Sequence, residues 1–146
     1  MAVLLIAALV LPGEHPGSPV HLDVAKVVLE KLISDASPGL VLCINVNGSD
    51  PPGQLLNQLQ RPGRTIVGHS KCHPSTDGGA HPSYYGRTRR PAHFLTVSDA
   101  IQISQTELTV QANDWYHGKW ASYWTVRLTR NDSGWHIVSF HLDGMS

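Results

Sequence analysis

The last third of the chain, residues 91–146, constrains the fold more than any other part of the sequence, because apolar and polar side chains alternate there over four successive runs. Side chains of a β-strand point alternately to opposite faces, so repeated alternation indicates strands with one buried face. Short polar turns separate the runs, which is typical of an antiparallel meander. We therefore expect four strands, at 94–104, 107–116, 121–130 and 135–143.

The alternation also predicts which positions are buried. In each of the first three runs, the aliphatic side chains share one face, which Asp99 and Asp114 interrupt. The fourth run carries apolar side chains on both faces, so we expect a central strand or one that is covered on both sides. The predicted core positions of the first three runs are Leu95, Val97, Ile101, Ile103, Leu108, Val110, Ala112, Trp124, Val126 and Leu128.

An amphipathic helix is predicted upstream of the meander, through Ala36, because apolar residues recur there at helical spacing. A short apolar strand at 40–46 and a brief helix at 51–60 follow. Residues 61–90 are rich in Gly and Pro and show no regular pattern, which predicts an irregular insert. The chain at 21–146 is therefore expected to be one α+β domain, with the helix packed on a curved antiparallel sheet. The predicted apolar stripe of the helix is Leu22, Ala25, Val28, Leu29, Leu32 and Ile33.

Residues 1–20 are expected to be an apolar segment followed by a linker. The apolar part ends at Pro12 and Gly13 and is shorter than the roughly 20 residues that span a bilayer. It matches the h-region of a secretory signal peptide, although no Lys or Arg precedes it and no A-x-A cleavage site follows. The first hypothesis is a signal peptide, which predicts a secreted, extracellular or periplasmic protein. The alternative is a retained strand that packs on the core or on a neighbouring subunit.

Charge and cysteine content restrict the function and the compartment. The chain of 146 residues has 11 basic residues (Lys and Arg) and 11 acidic residues (Asp and Glu), so the net charge is zero. This balance argues against nucleic-acid binding by phosphate neutralisation. Cys43 and Cys72 allow one disulfide, which would close a loop of about 30 residues and stabilise the fold by about 3 kcal/mol. Such a bridge requires an oxidising compartment, and the alternative is two unrelated thiols.

The meander holds a first group of candidate site residues, namely Asp99, Asp114, Tyr116, His141 and Asp143. A carboxylate in an apolar cavity has a raised pKa and can act as an acid or base near neutrality. A His–Asp pair is the other common proton-transfer unit. The alternative for both Asp99 and Asp114 is a solvated position at the rim of the sheet.

A second group of candidates is aromatic and basic. Arg87 and Arg89 follow Tyr84 and Tyr85, a combination that can bind an anionic ligand through hydrogen bonds and cation–π contacts. A solvated loop is the alternative.

Two of the four Trp residues are candidates for an interface. Trp115 points away from the apolar face, and Trp120 falls in a predicted turn.

Zinc ligation in the insert is a third possibility, because imidazole and thiolate side chains cluster there. No recognised zinc pattern is present, so neither a metal site nor a cofactor is assigned. The residues concerned are His69, Cys72, His73, His81 and His93.

The helix followed by a long meander that ends in Gly134-Trp135-His136-Ile137-Val138 resembles the cystatin-like α+β cone of NTF2-like proteins. The resemblance covers about 92–146 and the helix at 22–36. It implies a curved sheet wrapped around its helix, often dimeric through the open sheet face. Isomerases, dehydratases and non-catalytic binding modules share this fold, so the fold alone does not select a function.

Two functional hypotheses follow. The first is a small exported, non-catalytic protein that binds a ligand or self-associates as a homo-oligomer, because G-x-S-x-G, phosphate-loop and H-E-x-x-H motifs are absent from the sequence. The alternative is an NTF2-like pocket enzyme of the isomerase or dehydratase type that acts on a small molecule. Asp99 or Asp114 would be its base, and Tyr116 or His141 its proton donor.

Overall fold

The computed structural model describes residues 17–78, 80–117 and 120–146. The helices are α1 (Leu22–Asp35) and α2 (Gly53–Leu59), and the strands are β1 (Val41–Val46), β2 (Thr65–Gly68), β3 (Cys72–His73), β4 (Tyr84–Tyr85), β5 (Ala92–Gln102), β6 (Glu107–His117), β7 (Trp120–Asn131) and β8 (Gly134–Met145). Six of these strands form one sheet in the order β2-β1-β5-β6-β7-β8, and β3 pairs with β4 separately. The architecture is therefore α+β, as the sequence predicts.

The predicted four-stranded meander is confirmed as β5 to β8, each strand pairing antiparallel with the next. Glycine at the β7–β8 turn is required by the backbone, because Gly134 has a φ of 109°. Upstream of the meander, β1 pairs parallel with both β2 and β5, which makes the sheet mixed.

Helix α1 packs on one face of the sheet through the predicted apolar stripe, of which only Leu22 is exposed. Each fully buried aliphatic side chain, such as Leu29, contributes roughly 1.5–3 kcal/mol relative to the exposed state. The helix ends at Asp35, and the Arg64 guanidinium donates hydrogen bonds to the carbonyl oxygens of Ala36 and Ser37, at 2.5 and 2.7 Å. These bonds satisfy acceptors that a helix C-terminus leaves without partners.

A β-bulge in β5 overturns part of the predicted core. Pairing with β6 shifts between Ser98 and Ile101, and Asp99 lies in the bulge with a φ of 56°. One extra residue moves every later side chain to the opposite face. As a result, Ile101 and Ile103 are 51% and 53% exposed, and the prediction that they join the core is wrong.

Bulges also explain the mixed pattern of the fourth run. Within the described ranges β8 is an edge strand of the sheet, so the prediction of a central or doubly covered strand is wrong. Its register against β7 shifts at two places, which leave Val138 and Asp143 as extra residues. Trp135 and Ile137 before the first bulge, and Phe140 after it, all pack against the same core. The apolar residues on two faces therefore reflect a change of register and not a second layer.

The insert at 61–90 contains more regular structure than its Gly and Pro content predicts. It supplies β2 to the main sheet and then the β3–β4 ribbon, which lies against the face opposite to α1. The predicted disulfide between Cys43 and Cys72 is confirmed and joins β1 to β3. Around it lies a second, smaller core of Val41, Cys43, Cys72 and Ala92, with Val67, Tyr85 and Phe94 partly buried against it.

Within the described ranges, no helix has the length and apolar character needed to cross a membrane. The predictions for the apolar segment at 1–11, a signal peptide or a retained strand, lie outside the described residues.

Candidate active site

A cavity of about 470 Å³ opens between the C-terminal end of α1 and the adjoining ends of β5, β6 and β7. Its size falls within the range of small-molecule sites. The helix and the following loop form one wall, and strand residues form the other. The lining residues are Asp35, Ala36, Ser37, Leu40, His93, Asp114, Tyr116, His117 and Trp120.

A His–Asp pair lies in the strand wall of this cavity. Leu95 pairs with Asp114 across β5 and β6, so His93, two residues before Leu95, shares its face and lies diagonally next to the carboxylate. Nδ1 of His93 lies 2.6 Å from Oδ1 of Asp114. The two side chains are only 9% and 15% exposed, so the pair is largely shielded from water.

Aromatic rings surround the imidazole of His93. The ring of Tyr116 stacks on it at a centroid distance of 4.6 Å, and the ring of Trp120 approaches edge-on at 4.9 Å. Tyr116 and Trp120 are nearly perpendicular to each other, at 88°. With one ring against its face, another against its edge and a carboxylate on Nδ1, the imidazole is held in one orientation.

This geometry determines which nitrogen of His93 is available for chemistry. When Asp114 is ionised its carboxylate only accepts hydrogen bonds, and Nδ1–H of His93 is then the donor, which fixes the tautomer. Nε2 then carries the lone pair and can accept a proton from a bound molecule. The arrangement of an imidazole oriented by a carboxylate is the usual unit of general acid–base catalysis.

The structure brings together three of the residues predicted from sequence. Asp114 and Tyr116 line the same cavity, as does Trp120, which begins β7 and does not lie in a turn as predicted. His93, their central partner, appears in the sequence analysis only among possible zinc ligands. One signal in the sequence could have identified it, because His93 alternates with Leu95 and Val97 and so belongs to the buried face.

The other two residues of the acid–base prediction lie elsewhere. Asp99 is exposed in the bulge, where Ser98 Oγ donates to its Oδ2 at 2.9 Å. It lines a separate, shallow depression next to Asn47. His141 is on the edge strand β8 with a largely exposed side chain, 3.8 Å from Asp143.

The remaining candidates for ligand or interface contacts are outside the cavity. Trp115 packs against Phe94, at a centroid distance of 5.7 Å. Tyr84 and Tyr85 form β4, and the guanidinium of Arg89 lies 5.8 Å from the ring of Tyr84. Arg87 is exposed in the turn that follows β4.

The histidines of the insert have separate partners. Cys72 is in the disulfide, His73 stacks on Tyr84, and His81 contacts Asp77. His69 lies 3.0 Å from Asp50. Among the residues that the structure describes, no three His, Cys, Asp or Glu side chains are grouped closely enough to hold a metal ion.

Hydrogen bonding shifts the pKa of two carboxyl groups in this part of the chain. Side-chain and backbone bonds from Ser70 lower the pKa of Asp50, and bonds from His81 lower the pKa of Asp77 to about 2. In both cases the hydrogen bonds favour the ionised form of the carboxyl group.

Comparison of the chain with family models, with curated proteins and with solved structures found no match.

Proposed function

We propose that the protein is a small-molecule enzyme that moves a proton in the cavity between α1 and the meander, with His93 as the general base. The observation that carries this proposal is the contact of 2.6 Å between the largely buried side chains of His93 and Asp114, in the wall of an open cavity that is partly lined by aromatic rings. Surface His–Asp contacts, such as that of His141, do not have this shielding. The isomerase or dehydratase hypothesis, with His93 replacing His141, therefore has more support than the non-catalytic one.

The substrate that suits this cavity is a flat, largely uncharged molecule with an acidic C–H bond. Tyr116 and Trp120 offer ring surfaces, and Leu40 and Ala36 add an apolar wall. Nε2 of His93 takes the proton, and Asp114 stabilises the resulting imidazolium. The phenol of Tyr116, in the same cavity, can donate a hydrogen bond to the negative charge that develops on the substrate.

The proposal can be tested with 5-nitrobenzisoxazole, a compound that eliminates when a correctly positioned base removes its ring proton. The base removes the ring C–H proton, the electron pair forms the nitrile, and the N–O bond breaks to give a coloured phenolate. We expect the protein to accelerate this elimination and the His93→Asn variant to lose about 100-fold of the rate.

His141→Asn is the matched control, because it makes the same change at an exposed histidine outside the cavity. It should leave the rate unchanged. Asp114→Asn should lower the rate, because an amide does not stabilise the imidazolium. Equal rates for the wild type, His93→Asn and His141→Asn would refute the proposal.

The fold and the disulfide support two further proposals. We propose that the domain is a member of the NTF2-like superfamily, since a helix covers one face of a mostly antiparallel sheet and a cavity opens at the helix end.

We also propose that the protein is exported, since the Cys43–Cys72 disulfide persists in oxidising compartments. Detection of the native protein outside the cytosol, by cell fractionation, tests the second proposal.

Self-association is a second candidate function, and strand β8 is the observation that favours it. This strand has twelve residues and forms the edge of the sheet. Strand β8 carries three exposed apolar side chains, namely Val138 at 55%, Leu142 at 44% and Met145 at 67%. Long apolar edges pair with other strands, so we propose a homo-oligomer through β8. Sedimentation velocity should show it, and Val138→Lys should dissociate it, whereas Ile103→Lys, at an exposed isoleucine outside β8, should not.

A further inference from the structure

Ser83 is a fully buried polar residue that lies directly behind the candidate active site. Its backbone N–H and its hydroxyl both donate to the carbonyl oxygen of Tyr116, at 3.3 and 2.5 Å. Its own carbonyl oxygen accepts from the N–H of Ala92 at 2.9 Å, and its Oγ accepts from the N–H of Ser75 at 3.0 Å. Four hydrogen bonds therefore meet at one residue that water does not reach.

Three of these bonds, two to Tyr116 and one to Ala92, hold the strand segments that carry the reacting groups. Ala92 immediately precedes His93, and Tyr116 stacks on the His93 ring. Pairing between β6 and β7 shifts its register at Trp115 and His117, so the sheet itself constrains Tyr116 less than its neighbours. Ser83 supplies the missing constraint by tying the ends of β5 and β6 together.

The disulfide fixes Ser83 in turn. Cys72 is bonded to Cys43 in the central part of the sheet, and it pairs with Tyr85 in the β3–β4 ribbon. Ser83 comes directly before β4. A continuous path of covalent and hydrogen bonds thus runs from the disulfide through the ribbon to the backbone of Tyr116 and Ala92.

We propose that Ser83 is a positioning residue for the His93–Asp114 pair, and that the Cys43–Cys72 disulfide acts on the cavity through it. This inference rests on the proposed function. Loss of the hydroxyl leaves the N–H of Ser75 without its acceptor and removes the shorter of two bonds to Tyr116. The stacked ring and the imidazole then lose their fixed orientation, while the side chains that line the cavity remain present.

The test compares Ser83→Ala with Ser139→Ala, a control at an exposed serine of β8. Elimination of 5-nitrobenzisoxazole should show a kcat lowered by about 10- to 100-fold in Ser83→Ala with little change in KM, because misplacement costs rate and not affinity. Ser139→Ala should match the wild type. Ser83→Thr, which keeps the donor, should recover part of the rate. In NMR spectra, the Nδ1 proton of His93 should broaden or shift in Ser83→Ala only.

A mutant cycle tests the path to the disulfide. Cys43→Ala/Cys72→Ala should lower kcat in the same way, and adding Ser83→Ala should cost little more, because both changes act through one connection. Additive losses would overturn the link to the disulfide. An unchanged kcat and an unchanged Nδ1 proton in Ser83→Ala would overturn the positioning role. If Ser83→Ala does not fold, the kcat of reduced against oxidised wild type tests the disulfide, and Ser83→Thr against the wild type tests the placement of the hydroxyl. If the wild type does not accelerate the elimination, the proposed function fails and the Nδ1 proton still decides the positioning role.

Discussion

Reduction of the Cys43–Cys72 disulfide is expected to destabilise the fold by an amount that follows from its position in the chain. The two cysteines are 29 residues apart. In the chain-entropy model, a cross-link over that distance removes roughly 12 cal/mol/K of conformational entropy from the unfolded chain, or about 3.5 kcal/mol at 25 °C. Typical domains have only 5–15 kcal/mol in total, so this bridge is a large share of the stability.

Urea unfolding of the wild type with and without reductant measures this difference directly, because only the cross-link changes. The free energy of unfolding should fall by about 2–4 kcal/mol on reduction. The dependence on urea should become steeper, because the unfolded chain without a cross-link exposes more surface. Cys43→Ala/Cys72→Ala should lose somewhat more than reduction does, since the sulfur atoms are buried and Ala leaves space behind.

Two outcomes would contradict the entropic argument. A loss below about 1 kcal/mol would mean that the unfolded chain is already constrained, or that the bridge distorts the native state. Loss of β3–β4 contacts with no loss of global stability would mean that the ribbon opens as a separate unit. Hydrogen exchange of the Gly86 amide, which donates to the Lys71 carbonyl, separates the second outcome from the first.

Three further changes should alter stability in ways that the structure specifies. Leu29→Ala, at a fully buried position of α1, should cost about 2–5 kcal/mol, whereas Leu142→Ala on the exposed edge should cost far less, as measured by urea unfolding. Arg64→Ala removes the guanidinium donors at the C-terminus of α1 and should lower the free energy of unfolding by about 1–3 kcal/mol. The melting temperature should fall as a result, and an unchanged melting temperature would contradict the capping role of Arg64. The lowered pKa of Asp50 means that its ionised form is favoured in the folded state, so its contribution is present above the ordinary value of 3.8 and is lost as the pH falls through the lowered value. Asp50→Asn should therefore flatten the acid limb of a stability–pH profile, and Asp132→Asn, at an exposed turn, should not.

The sequence predicted the elements whose patterns are long and regular. Helix α1 and strands β5 to β8 were correctly located, because each buries one face and so shows its period over ten or more residues. The disulfide was predicted correctly because only one pairing is available. Strand β2 and the β3–β4 ribbon were missed, since strands of two to four residues are too short for a period to show.

The bulges could not be predicted from the sequence, for a different reason. One extra residue in β5 or β8 changes which side chains face the core, and nothing in the local composition marks where it occurs. The exposed Ile101 and the edge position of β8 both follow from pairing with a neighbouring strand. Such pairing is a property of the assembled sheet.

The candidate site was likewise predictable from the sequence only in part. That Asp114 and Tyr116 share the apolar face of β6 follows from the sequence, because alternation along one strand is local. That His93 is their partner follows from the folded sheet, because the register between β5 and β6 places its imidazole 2.6 Å from the carboxylate. The role of Ser83 could not be predicted from the sequence either, since its hydrogen-bond partners Tyr116 and Ala92 come from two different strands. Contacts between residues distant in the chain depend on how the strands pair, and a side-chain period carries no information about that.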